Sequence, residues 1–286
     1  SEMCIRDRII TDTGALLSPK EGEKIGVDVL PLNVIADKKS YKEYVDVTSQ
    51  EFLDIVKEGH VPSSSQPSIG ETMELFEKYP GEDILVINMA DGLSGTYQSI
   101  VSAKESVEHS ENIHVINSMT LCGPQRYLVE KAVALREQGL DIHHIMKELH
   151  KSIACEKSFL IPQDFGFLKR GGRLTPLAAT LGGMLKITPI MTTTKDAKRL
   201  EKYAMKKTFK SAVKEIMKAF QELGVNEDFK IYVTHAGVLK QAQDVVKQLQ
   251  TVFENTVIEM YDLSPVFIAQ GGPGCIAVQA LSLIHI

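Results

Sequence analysis

The chain has 286 residues, of which 43% are hydrophobic, and a formal net charge of −5. This length predicts one or two domains with a sizeable core. Because no run of about 18 apolar residues occurs, we expect a soluble globular protein without stable membrane insertion.

The four cysteines lie far apart, at Cys4, Cys122, Cys155 and Cys275. They form neither a Cys-x-x-Cys pair nor a Cys/His spacing typical of zinc, which argues against a disulfide framework and a metal site. The N-terminus also lacks the pattern of a signal peptide. A reducing cytoplasm is therefore the expected location.

Charge is unevenly distributed along the chain. Residues 157–218 contain 14 Lys and Arg against 4 Asp and Glu, a local charge of +10 that leaves −15 for the remainder. Such a segment is typical either of a surface that docks an acidic partner or of a solvated lysine-rich helix. We do not expect nucleic acid as a partner, because no aromatic residues are interleaved and no recognisable binding module occurs.

Strand and helix patterns alternate in the first half of the chain. Capping boxes at Thr48/Glu51 and Ser68/Glu71 predict two helix starts, and a polar loop is predicted between these helices, at 62–67. Short apolar strands between helices indicate a mostly parallel, buried sheet. The predicted strands are 9–11, 29–35, 84–89 and 113–116.

A second α/β domain is predicted from Lys157 onward, with domain ranges of 9–156 and 157–280. The join at Glu156 has no flexible linker, so we expect a packed interface with a ligand cleft in it. Residues 1–8 and 281–286 resemble foreign flanking sequence. In this half the predicted strands are 159–161, 198–205, 229–236, 256–263 and 275–280, and the predicted helices are 208–223 and 239–252.

Ser94 lies at the most informative corner of the chain. The apolar segment ILVINMA breaks at Asp91 and Gly92, and a helix pattern restarts near Thr96. The first N–H groups of a helix have no intrahelical partner and lie at the positive end of its dipole. A hydroxyl beside such amides favours an anion or a carboxylate.

The same corner permits two other interpretations. Gly92 and Ser94 fit the Gly-x-Ser-x-Gly nucleophile elbow of hydrolases, but Thr96 replaces the last glycine. His235 and Asp262 are candidate partners for such a serine, although their order along the chain is the reverse of the hydrolase order. A helix-capping serine is the third interpretation. A ligand-binding serine is favoured, and no catalytic residue is assigned.

Other polar segments are ambiguous when taken alone. Ser63–Ser65 precede the helix capped by Ser68 and are either a solvated turn or hydroxyls that share a carboxylate with Ser94. The sequence KRGGR at 169–173 precedes Thr175 and Pro176, which suit the start of a helix, but it is not a P-loop. Asp12 and Asp91 each follow a strand and are either functional or capping residues.

Taken together, these motifs resemble the DegV family of bacterial fatty-acid-binding proteins over residues 9–280. The matching segments, in chain order, are IITDTGALLSP from Ile9, VLPLNVIADKKSY from Val29, SSQPS from Ser64, DGLSGTYQSI from Asp91, LKRGGRLTPLAATLG from Leu168 and GGPG from Gly271.

The resemblance implies two α/β domains with a lipid between them and no cofactor. The fatty-acid carboxylate is expected to contact Ser64 or Ser65, Ser94 and the amide of Gly95. The resemblance also implies a binding subunit of a fatty acid kinase, which presents the carboxylate to a separate ATP-using subunit and then holds the acyl-phosphate. Arg170 and Arg173 are then expected to face that kinase or the phosphate.

Gln270 departs from the pattern of the family. Relatives often have His-x-Gly-Pro-Gly where this chain has Gln270 followed by Gly271, Gly272, Pro273 and Gly274. A glutamine can hydrogen-bond a carboxylate, but it cannot change charge near neutral pH. Gln270 remains a candidate contact for the partner or the phosphate.

The resulting prediction is a monomeric, non-catalytic carrier of a long-chain fatty acid. Burying about 15 methylenes at about 0.8 kcal/mol each contributes about 12 kcal/mol before the costs of association and ordering. The tail then supplies affinity and the serines supply orientation. The alternatives are a serine esterase that uses Ser94 and a lipid-sensing regulatory module.

Overall fold

A computed structural model describes residues 7–181 and 186–284. Residues 1–6 of the first predicted flank and 285–286 of the second lie outside these ranges. Arg8 begins the first strand, and Leu281 and Ser282 are the last two residues of the last strand. The strands are β1 Arg8–Asp12, β2 Val27–Leu30, β3 Asn33–Ala36, β4 Lys39–Lys42, β5 Pro62–Ser65, β6 Ile84–Asn88, β7 Ile113–Asn117, β8 Glu156–Ile161, β9 Thr188–Thr193, β10 Leu200–Lys206, β11 Phe229–His235, β12 Val257–Asp262 and β13 Ile276–Ser282. The helices are α1 Pro19–Lys24, α2 Ser49–Lys57, α3 Ile69–Phe76, α4 Thr96–Glu105, α5 Cys122–Glu137, α6 Ile142–Ile153, α7 Phe165–Gly171, α8 Phe209–Leu223, α9 Leu239–Gln250 and α10 Pro265–Gly271.

The N-terminal half is built on a four-stranded parallel sheet in the order β2-β1-β6-β7. Every residue of β6 is buried, because helices cover both faces of the sheet. Leu85 and Ile87 pack in the cluster that contains α5 and α6, whereas Ile84 and Val86 pack in the cluster that contains α3 and α4. This period of two confirms the predicted parallel, buried sheet.

The C-terminal half contains a six-stranded mixed sheet in the order β10-β9-β8-β13-β11-β12. Its neighbouring strands are antiparallel except for β11 and β12, which are parallel. Side chains of α8 and α9, including Phe220 and Leu249, form a core with the sheet. The predicted α/β fold is therefore confirmed for both halves.

Helix α5 packs directly against the larger sheet, so the two halves share an interface. A Cβ on Gly123 would lie 2.1 Å from Cγ of Tyr232, which means that only glycine permits this approach. A second contact is a cluster that joins Leu32, Phe52 and Leu53 to Val266 and Ile268. Apolar contacts therefore connect the residues before Glu156 with those after it. The exact domain boundaries remain a prediction.

A small antiparallel sheet in the order β4-β3-β5 was not predicted. Pro62–Ser65 forms a strand that pairs with Asn33–Ala36, so the predicted loop at 62–67 is wrong for its first part. The single predicted strand at 29–35 is likewise wrong, since β2 ends at Leu30 and β3 begins at Asn33. Pro31 lacks the N–H group that a continuing ladder needs.

The buried carboxylate of Glu43 connects the small sheet to α10. Its Oε1 accepts a hydrogen bond from the Val266 N–H at 2.6 Å, in the first turn of α10. The Thr13 hydroxyl donates to Oε2 of the same carboxylate. Burial raises the pKa of Glu43 to about 7. Glu43 therefore fixes α10 to the N-terminal half while being only partly ionised near neutral pH.

We expect Glu43→Gln to reduce the pH dependence of stability. Because the folded pKa of about 7 exceeds the ordinary value of 4.5, the contribution of Glu43 to stability is complete below pH 4.5 and declines as the pH rises to about 7. Glutamine still accepts from Val266 but does not titrate. Urea unfolding at a series of pH values should show a smaller fall in the free energy of unfolding over this window.

Glu156 supplies the control for this measurement, because burial also raises its pKa to about 7. The variant Glu156→Gln should remove a separate part of the pH dependence of the free energy of unfolding. The double variant should remove both parts. If Glu43→Gln keeps the full pH dependence of the wild-type free energy of unfolding, Glu43 does not contribute to it and the prediction is wrong.

Candidate functional site

A cavity of about 1040 Å³, including its mouth, lies between the two halves of the chain. The wall is mainly apolar and comes from both halves; it includes Leu32, Met89, Leu160, Leu168, Met191 and Phe267. An elongated apolar molecule suits such a wall.

Ser64 and Gln270 meet at one end of this cavity. The Gln270 Nε2 donates to the Ser64 Oγ at 2.9 Å. Ser64 is on β5 opposite Val34, and Gln270 is in the last turn of α10. Ser65 lines the same end but is more exposed. Because Ser64 accepts from Gln270, its own O–H remains available to donate to a ligand.

The Ser94 corner forms the other side of the same end. Gly95 is the N-cap of α4, and the preceding Ser94 Oγ accepts from the Thr96 N–H at 3.2 Å. The two hydroxyls of Ser94 and Thr96 lie 2.8 Å apart, so one donates to the other. A Cβ on Gly95 would lie 3.2 Å from the end of the Gln66 side chain, so Gly95 and Gln66 are close neighbours. The predicted helix start near Thr96 is confirmed.

Arg173 also lines the cavity, and it brings a positive charge to a mainly apolar wall. Its Nε donates to the Leu93 carbonyl at 3.1 Å, and its Nη1 donates to that of Gly171. Burial lowers the pKa of Arg173. In the described ranges, no carboxylate lies within 4.0 Å of its guanidinium nitrogens. A partly buried cation without a counterion favours an anionic ligand.

Arg170 is separated from Arg173 by the end of α7. Its guanidinium is exposed and stacks on the Phe167 ring at 4.6 Å from the centroid. Arg170 does not line the cavity, so a contact with a partner protein stays a prediction for this residue. The helix predicted after Thr175 is, in its described part, a single 3-10 turn at Ala178–Leu181, and residues 182–185 lie outside the described ranges.

The strand-end carboxylates Asp12 and Asp91 are not part of the cavity wall. Asp12 is fully buried and accepts from the N–H groups of Gly14 and Met89, at 2.8 and 3.0 Å. It therefore caps a turn and holds two strand ends together. Asp91 lies 3.9 Å from the Lys198 ammonium group. Neither contact places an acid next to Ser94.

His235 belongs to a different, smaller cleft. Its Nε2 lies 3.4 Å from Asp262, and its Nδ1 accepts from the Val238 N–H at 3.3 Å. Among the described residues that line the large cavity, none is His, Asp or Glu. The geometry therefore supplies no general base for Ser94.

Most residues of the cavity wall were not predicted as site residues, among them the polar pair Ser158 and Gln279, although the sequence contains a signal for Gln279. Ser158 and Gln279 lie opposite each other on β8 and β13 and hydrogen-bond within the wall. In the predicted strand CIAVQA, residues Cys275, Ala277 and Gln279 alternate onto one face. All three line the cavity. The pairing with Ser158 depends on long-range register, which the sequence does not show.

The described residues contain neither a cluster suited to a metal ion nor a helix suited to a membrane crossing. Between residues 7–181 and 186–284, no three His, Cys, Asp or Glu side chains cluster in a way that could hold a metal ion. None of the helices in these ranges combines the length and hydropathy that a membrane crossing requires.

Comparison with known proteins shows the family to which this chain belongs. The profile of a family described as uncharacterised proteins of the DegV family matches residues 7–283. The chain belongs to the DegV family. A DegV domain-containing protein of Halalkalibacterium halodurans is 30% identical over 275 residues, which cover 94% of this chain and 96% of that protein.

Solved DegV structures share the fold. The DegV fatty acid binding protein from Bacillus subtilis has a TM-score of 0.84 and 25% identity and covers 96% of this chain and 99% of its own. A DegV family protein from Thermus thermophilus, described by its fatty acid binding, has the same score and identity and covers 97% and 100%. Both alignments extend over the two halves that form the cavity.

We expect Ser94 not to act as a nucleophile. Because no described base lines the cavity, a fluorophosphonate probe should leave Ser94 unlabelled, as read by intact-protein mass spectrometry. Any background ester turnover should be the same in wild type and Ser94→Ala. Stoichiometric covalent labelling that Ser94→Ala abolishes would instead support the esterase alternative.

Proposed function

We propose that this DegV family protein binds a long-chain fatty acid in the cavity, with its carboxylate at the end formed by Ser64, Ser94 and Arg173. The observation that carries the proposal is the Arg173 guanidinium, which has no carboxylate partner among the described residues and lines the same mainly apolar cavity as the Ser64 and Ser94 hydroxyls. The fatty acid binding of the Bacillus subtilis and Thermus thermophilus relatives supports it.

Each polar group has a separate task in this proposal. Arg173 compensates the charge of the carboxylate, and charge-assisted hydrogen bonds are stronger than neutral ones. Gln270 donates a hydrogen bond to the Ser64 Oγ, so the Ser64 O–H is free to donate to the ligand. The Ser94 and Thr96 pair contributes one further O–H donor. The carboxylate thus receives donors from elements on both sides of the cavity.

The tail supplies most of the affinity. Burying about 15 methylenes contributes about 12 kcal/mol before ordering and association costs, more than the polar contacts add. The mainly apolar wall also keeps water from a reactive acyl group.

We further propose that the protein presents the carboxylate to a separate kinase subunit in the cytoplasm and then holds the acyl-phosphate. The kinase supplies ATP and the phosphoryl chemistry, whereas this chain binds, orients and shields the acyl group. The exposed Arg170 and the basic segment 157–218 suit an acidic partner. The described cysteines are free thiols, as a reducing compartment favours.

Native mass spectrometry of protein purified from a bacterial host tests the fatty acid. We expect a bound long-chain fatty acid in the wild type and about tenfold weaker binding in Ser94→Ala, because one hydrogen bond to a charged group is lost. Ser63→Ala is the matched control: Ser63 neighbours Ser64 on β5 but does not line the cavity. A consistently empty cavity in the wild type would exclude the proposal.

The kinase step is tested by reversing the charge of Arg170. With a fatty acid kinase subunit, Arg170→Glu should lower the rate of acyl-phosphate formation severalfold while fatty acid affinity stays unchanged, since Arg170 lies outside the cavity. Lys57→Glu, an exposed charge reversal on α2, serves as the control. Equal rates in wild type and Arg170→Glu would remove Arg170 from the partner surface.

A further inference from the structure

Thr96 is a buried residue at the start of α4, two residues after Ser94. None of its surface is exposed, and it does not line the cavity. Two groups of Thr96 contact the Ser94 oxygen: the N–H donates to Oγ at 3.2 Å, and the hydroxyl oxygen lies 2.8 Å from Oγ. Thr96 is also the residue that replaces the last glycine of the hydrolase elbow pattern. Its contacts therefore decide which hydrogen-bonding groups Ser94 has left.

The direction of the hydrogen bond between the two hydroxyls follows from burial. Among residues 7–181 and 186–284, the Ser94 Oγ is the one hydrogen-bond partner of the Thr96 hydroxyl. If Ser94 donated, the Thr96 hydroxyl hydrogen would be a buried donor without an acceptor, which is unfavourable. Ser94 is only partly buried and lines the cavity, where its own hydrogen can meet a ligand. Thr96 is therefore the donor.

Both lone pairs of the Ser94 oxygen are then occupied. A serine hydroxyl has two acceptor lone pairs and one hydrogen. One lone pair accepts from the Thr96 N–H, and the other accepts from the Thr96 O–H. The Ser94 hydrogen is thus the only group that this side chain offers to a ligand. The complementary head group is a carboxylate, because its oxygens only accept.

We propose that Thr96 is a positioning residue of the carboxylate site, which makes the Ser94 hydroxyl a donor without touching the fatty acid itself. This inference rests on the proposed function and assigns a further residue to the same site. Gln270 acts on Ser64 in a related way, because its Nε2 donates to the Ser64 oxygen. The occupied lone pairs also leave Ser94 without a free electron pair for attack on an acyl carbon.

Calorimetric titration of the delipidated protein with oleic acid tests this role. Thr96→Val keeps the shape of the side chain and removes its O–H. We expect binding to be about two- to threefold weaker, because the Ser94 hydrogen then has a second staggered position that does not face the ligand. Thr96→Ser restores the hydroxyl and should recover the affinity of the wild type. Equal affinity of wild type and Thr96→Val, or no recovery in Thr96→Ser, would overturn the inference.

A double-mutant cycle distinguishes positioning of Ser94 from a general effect on packing. In Ser94→Ala no serine hydrogen remains to be oriented, so the addition of Thr96→Val should not weaken binding further. The same loss in both backgrounds would mean that Thr96 acts through packing, and would overturn the inference. If Thr96→Val does not fold, Thr96→Ala takes its place in the cycle.

Thr72→Val is the matched control. Thr72 is fully buried in α3, and its hydroxyl donates to the Ser68 carbonyl at 3.0 Å. It does not line the cavity, so this variant should bind oleic acid as the wild type does. A loss in Thr72→Val equal to that in Thr96→Val would also overturn the inference, because the effect would not depend on Ser94.

The same titrations separate the two proposals. If oleic acid does not bind to the wild type, or if Ser94→Ala binds it equally well, the proposed carboxylate site fails. If Ser94→Ala weakens binding but Thr96→Val does not, the proposed function stands and the role of Thr96 is wrong.

Discussion

The packing of α10 against the N-terminal half is the contact on which the site depends. Val266 and Ile268 share an apolar cluster with Leu32 and Phe52, and the Val266 N–H donates to the buried Glu43 carboxylate. Apolar packing supplies most of the attraction, whereas the hydrogen bond fixes the position of the helix start. Because Gln270 lies in the last turn of the same short helix, this anchoring also sets its distance to Ser64.

Polar groups in an apolar cavity are useful only where their position is fixed. Arg173 is held by two backbone carbonyls and Gln279 by a carbonyl and a hydroxyl, so neither side chain is free to turn toward solvent. In the described part of the chain, Arg173 has no carboxylate counterion and Oε1 of Gln279 has no hydrogen-bond donor. A partly buried charge such as that of Arg173 discriminates between ligands more strongly than additional apolar contacts do.

Local patterns in the sequence predicted much of this structure. The parallel sheet follows from apolar runs between helices, and the capping boxes at Thr48 and Ser68 form as expected. The corner at Ser94 was also found, because a strand end, a glycine and a helix start are adjacent in sequence. By contrast, β5 pairs its serines with β3, although β4 and α2 lie between these strands in the chain, and no local propensity favours β5 as a strand. The bond between Gln270 and Ser64 depends in turn on this pairing.

The different positions of Arg170 and Arg173 show why the KRGGR motif was ambiguous in sequence. Arg170 still belongs to α7, and its side chain follows the helix surface onto Phe167. Gly172 then adopts φ +72, which ends the helix and reverses the chain direction. Arg173, which follows this turn, lines the cavity, whereas Arg170 does not. The turn at the glycine pair therefore places one arginine in the cavity wall and leaves the other on the surface, a difference that the number of charges in the sequence does not reveal.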